Sequence, residues 1–194
     1  MVAQPHRSLM SVEDYLTLDR ESVDARYEYI DGYAYMMSGG TLNHSTICIN
    51  ITSLFRNLLR DSSCRVYNSD ARVHLSAMRY VYPDATISCD ESDRGTGDTI
   101  NSPRLIVEVL SPSTEAYDRG QKFIYYRSCP TILEYVLVDT KLQAIDVYRR
   151  ASANLWTLHI FGPGDQIELA SINARFPIAA FYEGVALSED TGNN

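Results

Sequence analysis

Two apolar runs with a helical segment between them place the strongest constraint on the fold of this 194-residue chain. The runs "LIVEVL" (105–110) and "LEYVLVDT" (133–140) are typical of strands that are buried on both faces. Between them, Ser113 is predicted to cap a helix that runs to about Arg127, and Pro130 prevents its continuation. A strand, a helix and a second strand form a right-handed crossover between parallel strands. We therefore expect an α/β (α+β) fold.

Local patterns upstream of this unit predict two helices and a hairpin. Ser11 and Asp14 form a capping box that begins a short helix. Tyr-rich alternating runs flank Asp31-Gly32, a pair that is typical of a β-hairpin turn. Apolar residues at helical spacing predict one long amphipathic helix over 41–60, with His44 in its first turn.

The remaining segments have the pattern of strands. We expect strands in "CRVYNSD", "ARVHLSAM" and "YVYPDATISCD" between residues 64 and 90. Three further segments, "AIDVYRR", "LWTLHIFG" and "QIELASI", predict a meander of short strands. The chain fits one domain over residues 1–190, followed by a disordered tail at 191–194.

Composition narrows the class of protein. The chain is 45% apolar and 22% charged, which is ordinary for a globular protein. No apolar run approaches the roughly 18 residues of a membrane span, and the start "MVAQPHRSLM" lacks the apolar segment of a secretory signal. We therefore expect a cytoplasmic protein with no membrane partner. The net charge of −8 speaks against non-specific affinity for polyanions but is compatible with a local site.

The four cysteines are scattered, with no CxxC pair and few histidines nearby. This spacing argues against a zinc site and against a disulfide framework. We expect buried free thiols at Cys48, Cys64, Cys89 and Cys129.

Two carboxylates interrupt apolar segments: Asp84 in "VYPDATI" and Glu108 in "LIVEVL". A buried carboxylate must be protonated, paired, bound to a cation or placed at an open strand end. If the two strands are neighbours, the carboxylates could lie about 5 Å apart, where their repulsion is on the order of 3 kcal/mol. Mg²⁺ suits such a site because it takes one or two carboxylates plus waters. Lys122, in the following helix, could return over the same strand end as a compact cation.

These segments carry a resemblance to a known family. "YPD", "EVLSPSTEAYDRGQK", "YEYIDG" and a helix that contains His44 together resemble the Uma-two family of restriction-endonuclease-like proteins, within the PD-(D/E)xK nuclease superfamily. The resemblance extends over residues 11–187. It implies a restriction-endonuclease-like core, in which a mixed β-sheet is flanked by helices and a metal ion is held at one strand end.

The resemblance also implies roles for individual residues. Asp84 and Glu108 would be the two metal-ligating acids, and the carbonyl of Val109 would be a third ligand. The lysine that the superfamily carries two residues after the acid is absent, because Leu110 occupies that position. Lys122 resembles the relocated lysine of some branches.

Three auxiliary residues are weaker candidates. Gln121 could take the place of the relocated lysine, and Glu28 in the hairpin could approach the metal as an additional acid. His44 could assist phosphate binding at a helix N-terminus. Capping or core packing would explain His44 equally well, and a cross-strand pairing with Arg26 would explain Glu28.

Structural alternatives exist for the main residues as well. Asp84 after a proline is often a turn residue, and Glu108 could pair with Arg104 or Arg127. A lysine on an amphipathic helix is usually solvated. Packing, rather than chemistry, is the expected role of three tyrosines in the same region: Tyr117, Tyr125 and Tyr126.

The function that follows from the resemblance is hydrolysis of phosphodiester bonds, with DNA as the expected substrate. The expected cofactor is Mg²⁺, with Mn²⁺ as a substitute, and the expected assembly is a homodimer with the hairpin over 27–37 as a candidate contact. One alternative is a catalytically inactive nuclease-fold module that binds nucleic acid or has a regulatory role. A glycosidase that uses the same two acids is a second alternative, but the single Trp156 offers little stacking surface for sugars.

Overall fold

The computed structural model describes residues 9–187, so the tail predicted at 191–194 lies outside the described part. The helices are α1 (Val12–Glu21), α2 (Leu42–Leu58), α3 (Glu115–Tyr117) and α4 (Phe123–Ser128), and a π-helical turn (Asp118–Lys122) joins α3 to α4. The strands are β1 (Tyr27–Ile30), β2 (Tyr33–Met36), β3 (Arg65–Asn68), β4 (Arg72–Ser76), β5 (Arg79–Val81), β6 (Ala85–Ser88), β7 (Thr99–Ile100), β8 (Pro103–Val109), β9 (Glu134–Val138), β10 (Ile145–Ser152), β11 (Leu155–Phe161), β12 (Gln166–Leu169) and β13 (Ala174–Pro177). No helix between residues 9 and 187 is long and apolar enough to span a membrane.

The strands form two main sheets. The six-stranded sheet has the order β11-β10-β9-β8-β6-β3, and the five-stranded sheet has the order β2-β1-β5-β4-β7. In the larger sheet β8 and β9 are parallel, with Glu108 opposite Leu137, while its other pairs are antiparallel. The predicted crossover and the mixed α/β fold with flanking helices are therefore confirmed.

Side chains alternate across β8 and pack against two different layers. Leu105, Val107 and Val109 join the core with α2 and the C-terminal segment. Ile106 and Leu110 join the core that α4 and the five-stranded sheet complete. Because alternate residues of a strand point to the same face, Glu108 shares the second face.

The helix cap, the hairpin turn and the long helix predicted in the first 60 residues are confirmed. The backbone N–H of Asp14 donates to Ser11 Oγ over 3.1 Å at the start of α1. The hairpin turn has φ angles of 50° at Asp31 and 97° at Gly32, which the Asp-Gly pair tolerates. Thr41 caps α2 through its side chain.

The helix after β8 differs from the prediction at its start and in its middle. Ser113 does not cap it: the residue before α3 is Thr114, whose backbone N–H donates instead to Ser111 Oγ over 3.2 Å. The π-helical turn then interrupts the regular helix. π turns are frequent at functional sites and carry no simple periodic signal, which is why the pattern predicted a continuous helix.

Two predictions about strands are wrong. "YVYPDATISCD" forms two strands, β5 and β6, which belong to different sheets and are separated at Pro83-Asp84. The segment "QIELASI" does not extend a meander with β10 and β11, because β12 pairs with β13 in a separate two-stranded sheet.

The prediction of four free thiols is also wrong. Cys64 and Cys89 form a disulfide, while Cys48 and Cys129 are free. β3 and β6 are antiparallel with Arg65 opposite Ser88, so the two cysteines just beyond this pair face each other. Because Cys64 and Cys89 are 25 residues apart in the sequence, their spacing alone does not indicate that they pair.

Candidate metal and catalytic site

A cavity of about 240 Å³ opens beside the end of β8. The β1–β2 hairpin, the first turn of α2 and the π-helical turn form its walls. Its titratable lining residues include Glu28, His44, Asp84, Glu108, Asp118 and Lys122. Together with Val109, which also lines the cavity, six of the seven predicted site residues are therefore collected in one place.

Asp84 and the end of β8 meet through a backbone hydrogen bond. Asp84 directly precedes β6, whose Ala85 is paired with Val107 of β8. This register brings the Asp84 carboxylate to the backbone N–H of Val109, which donates to Oδ2 over 2.7 Å. The same strand pair therefore holds both predicted acids and Val109 at one edge of the cavity.

Glu108 is held by a lysine and a tyrosine from the following helical segment. Lys122 Nζ donates to Glu108 Oε1 over 2.9 Å, and the Tyr126 hydroxyl donates to the same oxygen over 2.5 Å. Among residues 9–187, both side chains that donate to this carboxylate reach Oε1. The second oxygen is therefore the one that remains for a metal ion.

Lys122 lies among three carboxylates. Besides Glu108, its ammonium is 3.3 Å from Glu28 Oε1 and 3.7 Å from Asp118 Oδ1. Glu28 is itself fixed by the backbone N–H of Tyr82, which donates to it over 3.2 Å. The π-helical turn carries both Asp118 and Lys122, and both side chains are buried.

Burial and charge shift the pKa values of this cluster. Burial opposes the charged form of Lys122, but the carboxylates of Glu108, Glu28 and Asp118 raise its pKa above the ordinary value. Burial raises the pKa of Glu108 to about 8; Lys122 opposes the shift, while Asp118 and other acids add to it. Burial likewise raises the pKa of Asp118.

His44 approaches Asp84 from the first turn of α2. Its Nε2 is 3.4 Å from Asp84 Oδ2. Burial lowers the pKa of His44, but the hydrogen bond and charge of Asp84, together with a hydrogen bond to the Val109 backbone, raise it overall. His44 therefore borders the same edge of the cavity as the two predicted acids.

The donor set fits a hard divalent cation. Four carboxyl groups (Glu28, Asp84, Glu108 and Asp118) line the cavity together with one lysine ammonium, so oxygen ligands are abundant there. Asp118 Oδ1 is buried without a hydrogen-bond partner among the described residues. Mg²⁺ prefers carboxylate and carbonyl oxygens plus water, which is what the cavity edge presents.

Some interactions that the sequence left open as alternatives are not made among the described residues. Gln121 is exposed and does not line the cavity. Arg104 donates to the carbonyl of Ser171, and Glu108 pairs with Lys122 rather than with an arginine. Arg26 forms an ion pair with Asp70, while Glu28 faces Lys122.

Two residues of the cluster, Asp118 and Tyr126, were not predicted as site residues. Asp118 had a usable signal, because it lies four residues before Lys122 in a helical segment, where opposite charges meet. Tyr126 was assigned to packing but donates to Glu108. It had no signal, because its hydroxyl meets Glu108 only through tertiary packing.

The fold is shared with a solved structure. It is similar to the crystal structure of a protein from Anabaena variabilis, described as a "putative nuclease belonging to DUF820". The TM-score is 0.75 at 16% sequence identity, over 91% of this chain and 99% of that one. The two proteins therefore share a fold.

Sequence comparison identifies the family. Residues 12–179 match the Uma2 family, described as "putative restriction endonuclease", and the chain belongs to this family. The protein slr1290 of Synechocystis sp., described as uncharacterized, is 38% identical over 178 residues, which cover 91% of this chain and 93% of the relative. The protein sll1609 of Synechocystis sp., with the same description, is 26% identical over 166 residues, 84% of this chain and 93% of the relative.

Proposed function

We propose that this protein is a Mg²⁺-dependent endonuclease that hydrolyses phosphodiester bonds in DNA, with Mn²⁺ as a substitute for Mg²⁺. The observation that carries the proposal is the buried contact of Lys122 with Glu108 at the edge of a cavity that Asp84 also borders. Membership of a family described by a nuclease activity supports the reaction class.

Asp84, Glu108 and the carbonyl of Val109 would hold the metal ion. A Mg²⁺ held there would supply charge neutralisation at the phosphate and activation of the attacking water. Tyr126 and Lys122 fix one oxygen of Glu108. The carboxylate is therefore preorganised before a metal ion enters.

Lys122 acts as a cation and hydrogen-bond donor. The carboxylates around it raise its pKa, so it stays protonated at neutral pH and cannot serve as the general base. An ammonium has three protons; the contact with Glu108 uses one of them, and Glu28 Oε1, 3.3 Å away, is within reach of a second. The remaining proton can orient a water molecule and stabilise negative charge as it develops on the phosphate.

The first turn of α2 offers a place for a DNA phosphate. Gly39, Gly40 and His44 line the cavity at this helix N-terminus, and free backbone N–H groups together with the helix dipole favour anions there. Because the net charge of the chain is −8, DNA contact must depend on such local groups.

We also propose that two copies assemble through β2, since two-fold symmetry is the commonest way to bring two active sites to both DNA strands. β2 is an edge strand of its sheet, and Met36 in it is 52% exposed. Tyr35 and Met36 also line the cavity, so a partner at this edge would lie next to the site.

Cleavage of supercoiled plasmid tests the proposal. We expect nicked or linear product in Mg²⁺ or Mn²⁺, none in EDTA, and none with Glu108→Ala. Gln121→Ala is the matched control, since Gln121 is exposed beside Lys122 but outside the cavity, and should cleave at the wild-type rate. Metal-independent cleavage, or equal activity of Glu108→Ala, would contradict the proposal. DNA binding without cleavage would favour an inactive nuclease-fold module.

A further inference from the structure

A cysteine and a histidine one turn apart on α2 face Asp84. Cys48 Sγ is 3.6 Å from His44 Nδ1, and His44 Nε2 is 3.4 Å from Asp84 Oδ2. Each of the three residues offers one ligand atom within 4.8 Å of the other two. All three side chains are partly buried.

This set of ligand atoms differs in kind from the oxygen-rich edge at Glu108. An imidazole nitrogen, a thiolate sulfur and a carboxylate oxygen suit the borderline-soft Zn²⁺, whereas Mg²⁺ prefers oxygen. In tetrahedral zinc sites with these ligands, neighbouring ligand atoms lie roughly 3.3–3.7 Å apart. The 3.6 Å between Cys48 Sγ and His44 Nδ1 matches that spacing. Asp84 meets the other ring nitrogen, Nε2, so a single ion bound by all three residues requires a turn of the imidazole ring from ligand atoms that already lie within 4.8 Å of one another.

The surroundings argue against a nucleophilic role for Cys48. Burial, with the nearby charges of Asp84 and Glu108, raises the pKa of the thiol. Reactive cysteines instead have a lowered pKa in an electropositive environment. A bound cation would supply the positive charge that these surroundings lack and would deprotonate the thiol on binding.

Gly40 keeps the histidine ring in place. A Cβ at this position would lie 2.7 Å from both Cγ and Nδ1 of His44. An alanine there must therefore displace the ring, although all three ligand residues remain. This offers a way to disturb the cluster without removing one of its ligands.

We propose that His44, Cys48 and Asp84 form a second cation site that selects Zn²⁺ over Mg²⁺, and that Zn²⁺ bound there inhibits the Mg²⁺-dependent reaction. Inhibition follows because both ions need Asp84, so that Zn²⁺ removes one of the two carboxylates that would hold Mg²⁺. The inhibitory part rests on the proposed nuclease function, and the binding part does not.

Co²⁺ is a spectroscopic probe for the binding part. We expect titration of the full chain with Co²⁺ to give a thiolate-to-cobalt charge-transfer band that Zn²⁺ abolishes and excess Mg²⁺ leaves in place. The band should be absent in Cys48→Ser and weakened in Gly40→Ala. It should persist in Cys129→Ser, which removes the other free thiol. A band that survives in Cys48→Ser, or no band in the wild type, would overturn the site.

Inhibition is measured separately in Mg²⁺-supported cleavage, with each variant compared to its own rate without Zn²⁺. The Zn²⁺ concentration that halves this rate should rise at least tenfold in Cys48→Ser. Equal sensitivity of Cys48→Ser and wild type would refute the inhibitory role. If no variant cleaves DNA but the Co²⁺ band behaves as expected, the nuclease proposal fails while the zinc site stands.

Discussion

Lys122 donates a 2.9 Å hydrogen bond to Glu108, a residue fourteen positions earlier in the chain. A lysine two residues after the acid would start from the position of Leu110, which instead is buried in the same hydrophobic core as Tyr126. The helical segment between β8 and β9 brings the Lys122 ammonium to the Glu108 carboxylate, so the lysine and the acid lie on different elements. The chain therefore unites a lysine and an acid that are remote in sequence.

Metal binding should depend on both strand-end acids. We expect Mn²⁺ affinity, measured by calorimetry, to be strongly reduced in Asp84→Asn and in Glu108→Gln, because each substitution removes a charged oxygen ligand. Wild-type affinity in both variants would exclude a shared site.

Mn²⁺ affinity should also rise with pH. Because the pKa of Glu108 is raised to about 8, a metal ion must displace a proton below that pH. We expect affinity to fall by up to about tenfold per pH unit from pH 8 to pH 6, with proton release on binding. Affinity that is flat over this interval in the wild type would argue against Glu108 as a ligand.

The same pKa shift predicts the stability of the metal-free protein. The folded pKa of Glu108, about 8, lies above its ordinary value of 4.5, so folding favours the protonated form. The stabilisation of the folded state by protonated Glu108 is complete below pH 4.5 and is lost as the pH rises through about 8. In the absence of metal, the free energy of unfolding measured with denaturant should therefore fall as the pH rises from 4.5 to about 8. We expect this fall to be smaller in Glu108→Gln.

A second buried carboxylate serves as a structural contrast. Glu134 begins β9 and accepts hydrogen bonds from Arg149 (2.8 Å), the Ala170 N–H (3.1 Å) and the Ser171 N–H (3.0 Å). We expect Glu134→Gln to lower the free energy of unfolding by about 2 kcal/mol, since the partly exposed Arg149 loses the charge of its buried partner and the backbone N–H groups lose a charged acceptor. Mn²⁺ affinity should not change. A calorimetric loss of metal binding in this variant would indicate general unfolding rather than ligand removal.

Glu108 and Glu134 also mark the limit of prediction from the sequence. Both interrupt apolar runs, in "LIVEVL" and "LEYVLV", and their local patterns are equivalent. Only tertiary structure separates them: one carboxylate faces a cavity and Lys122, while the other is enclosed by Arg149 and backbone donors.

Features with local causes were predictable. The Ser11 cap, the Asp-Gly hairpin, α2 and the parallel crossover follow from short-range patterns, and the structure contains them. The division of one apparent strand into β5 and β6, the Cys64–Cys89 disulfide and the contacts of Tyr126 follow from sheet pairing and packing. A linear pattern carries little of that information.

Assembly can be tested at two sheet edges. β2 and β11 are edge strands, and Met36 and Ile160 are 52% and 72% exposed in them. If the hairpin forms the dimer contact, Met36→Lys should give a monomer by light scattering, while Ile160→Lys should remain dimeric. A wild-type monomer at tens of micromolar would contradict dimerisation, and the opposite pattern would move the contact to β11.

The most direct measurement compares cleavage rate and Mn²⁺ affinity in Lys122→Met, with Gln121→Ala as the control. Methionine keeps much of the buried volume but removes the charge. We predict that the rate falls about one hundredfold or more, as for removal of one well-placed electrostatic group. Mn²⁺ should bind at least as tightly, because a cation that competes for Glu108 is gone. A wild-type rate in Lys122→Met, while Glu108→Ala is inactive, would contradict the role of Lys122 in the reaction.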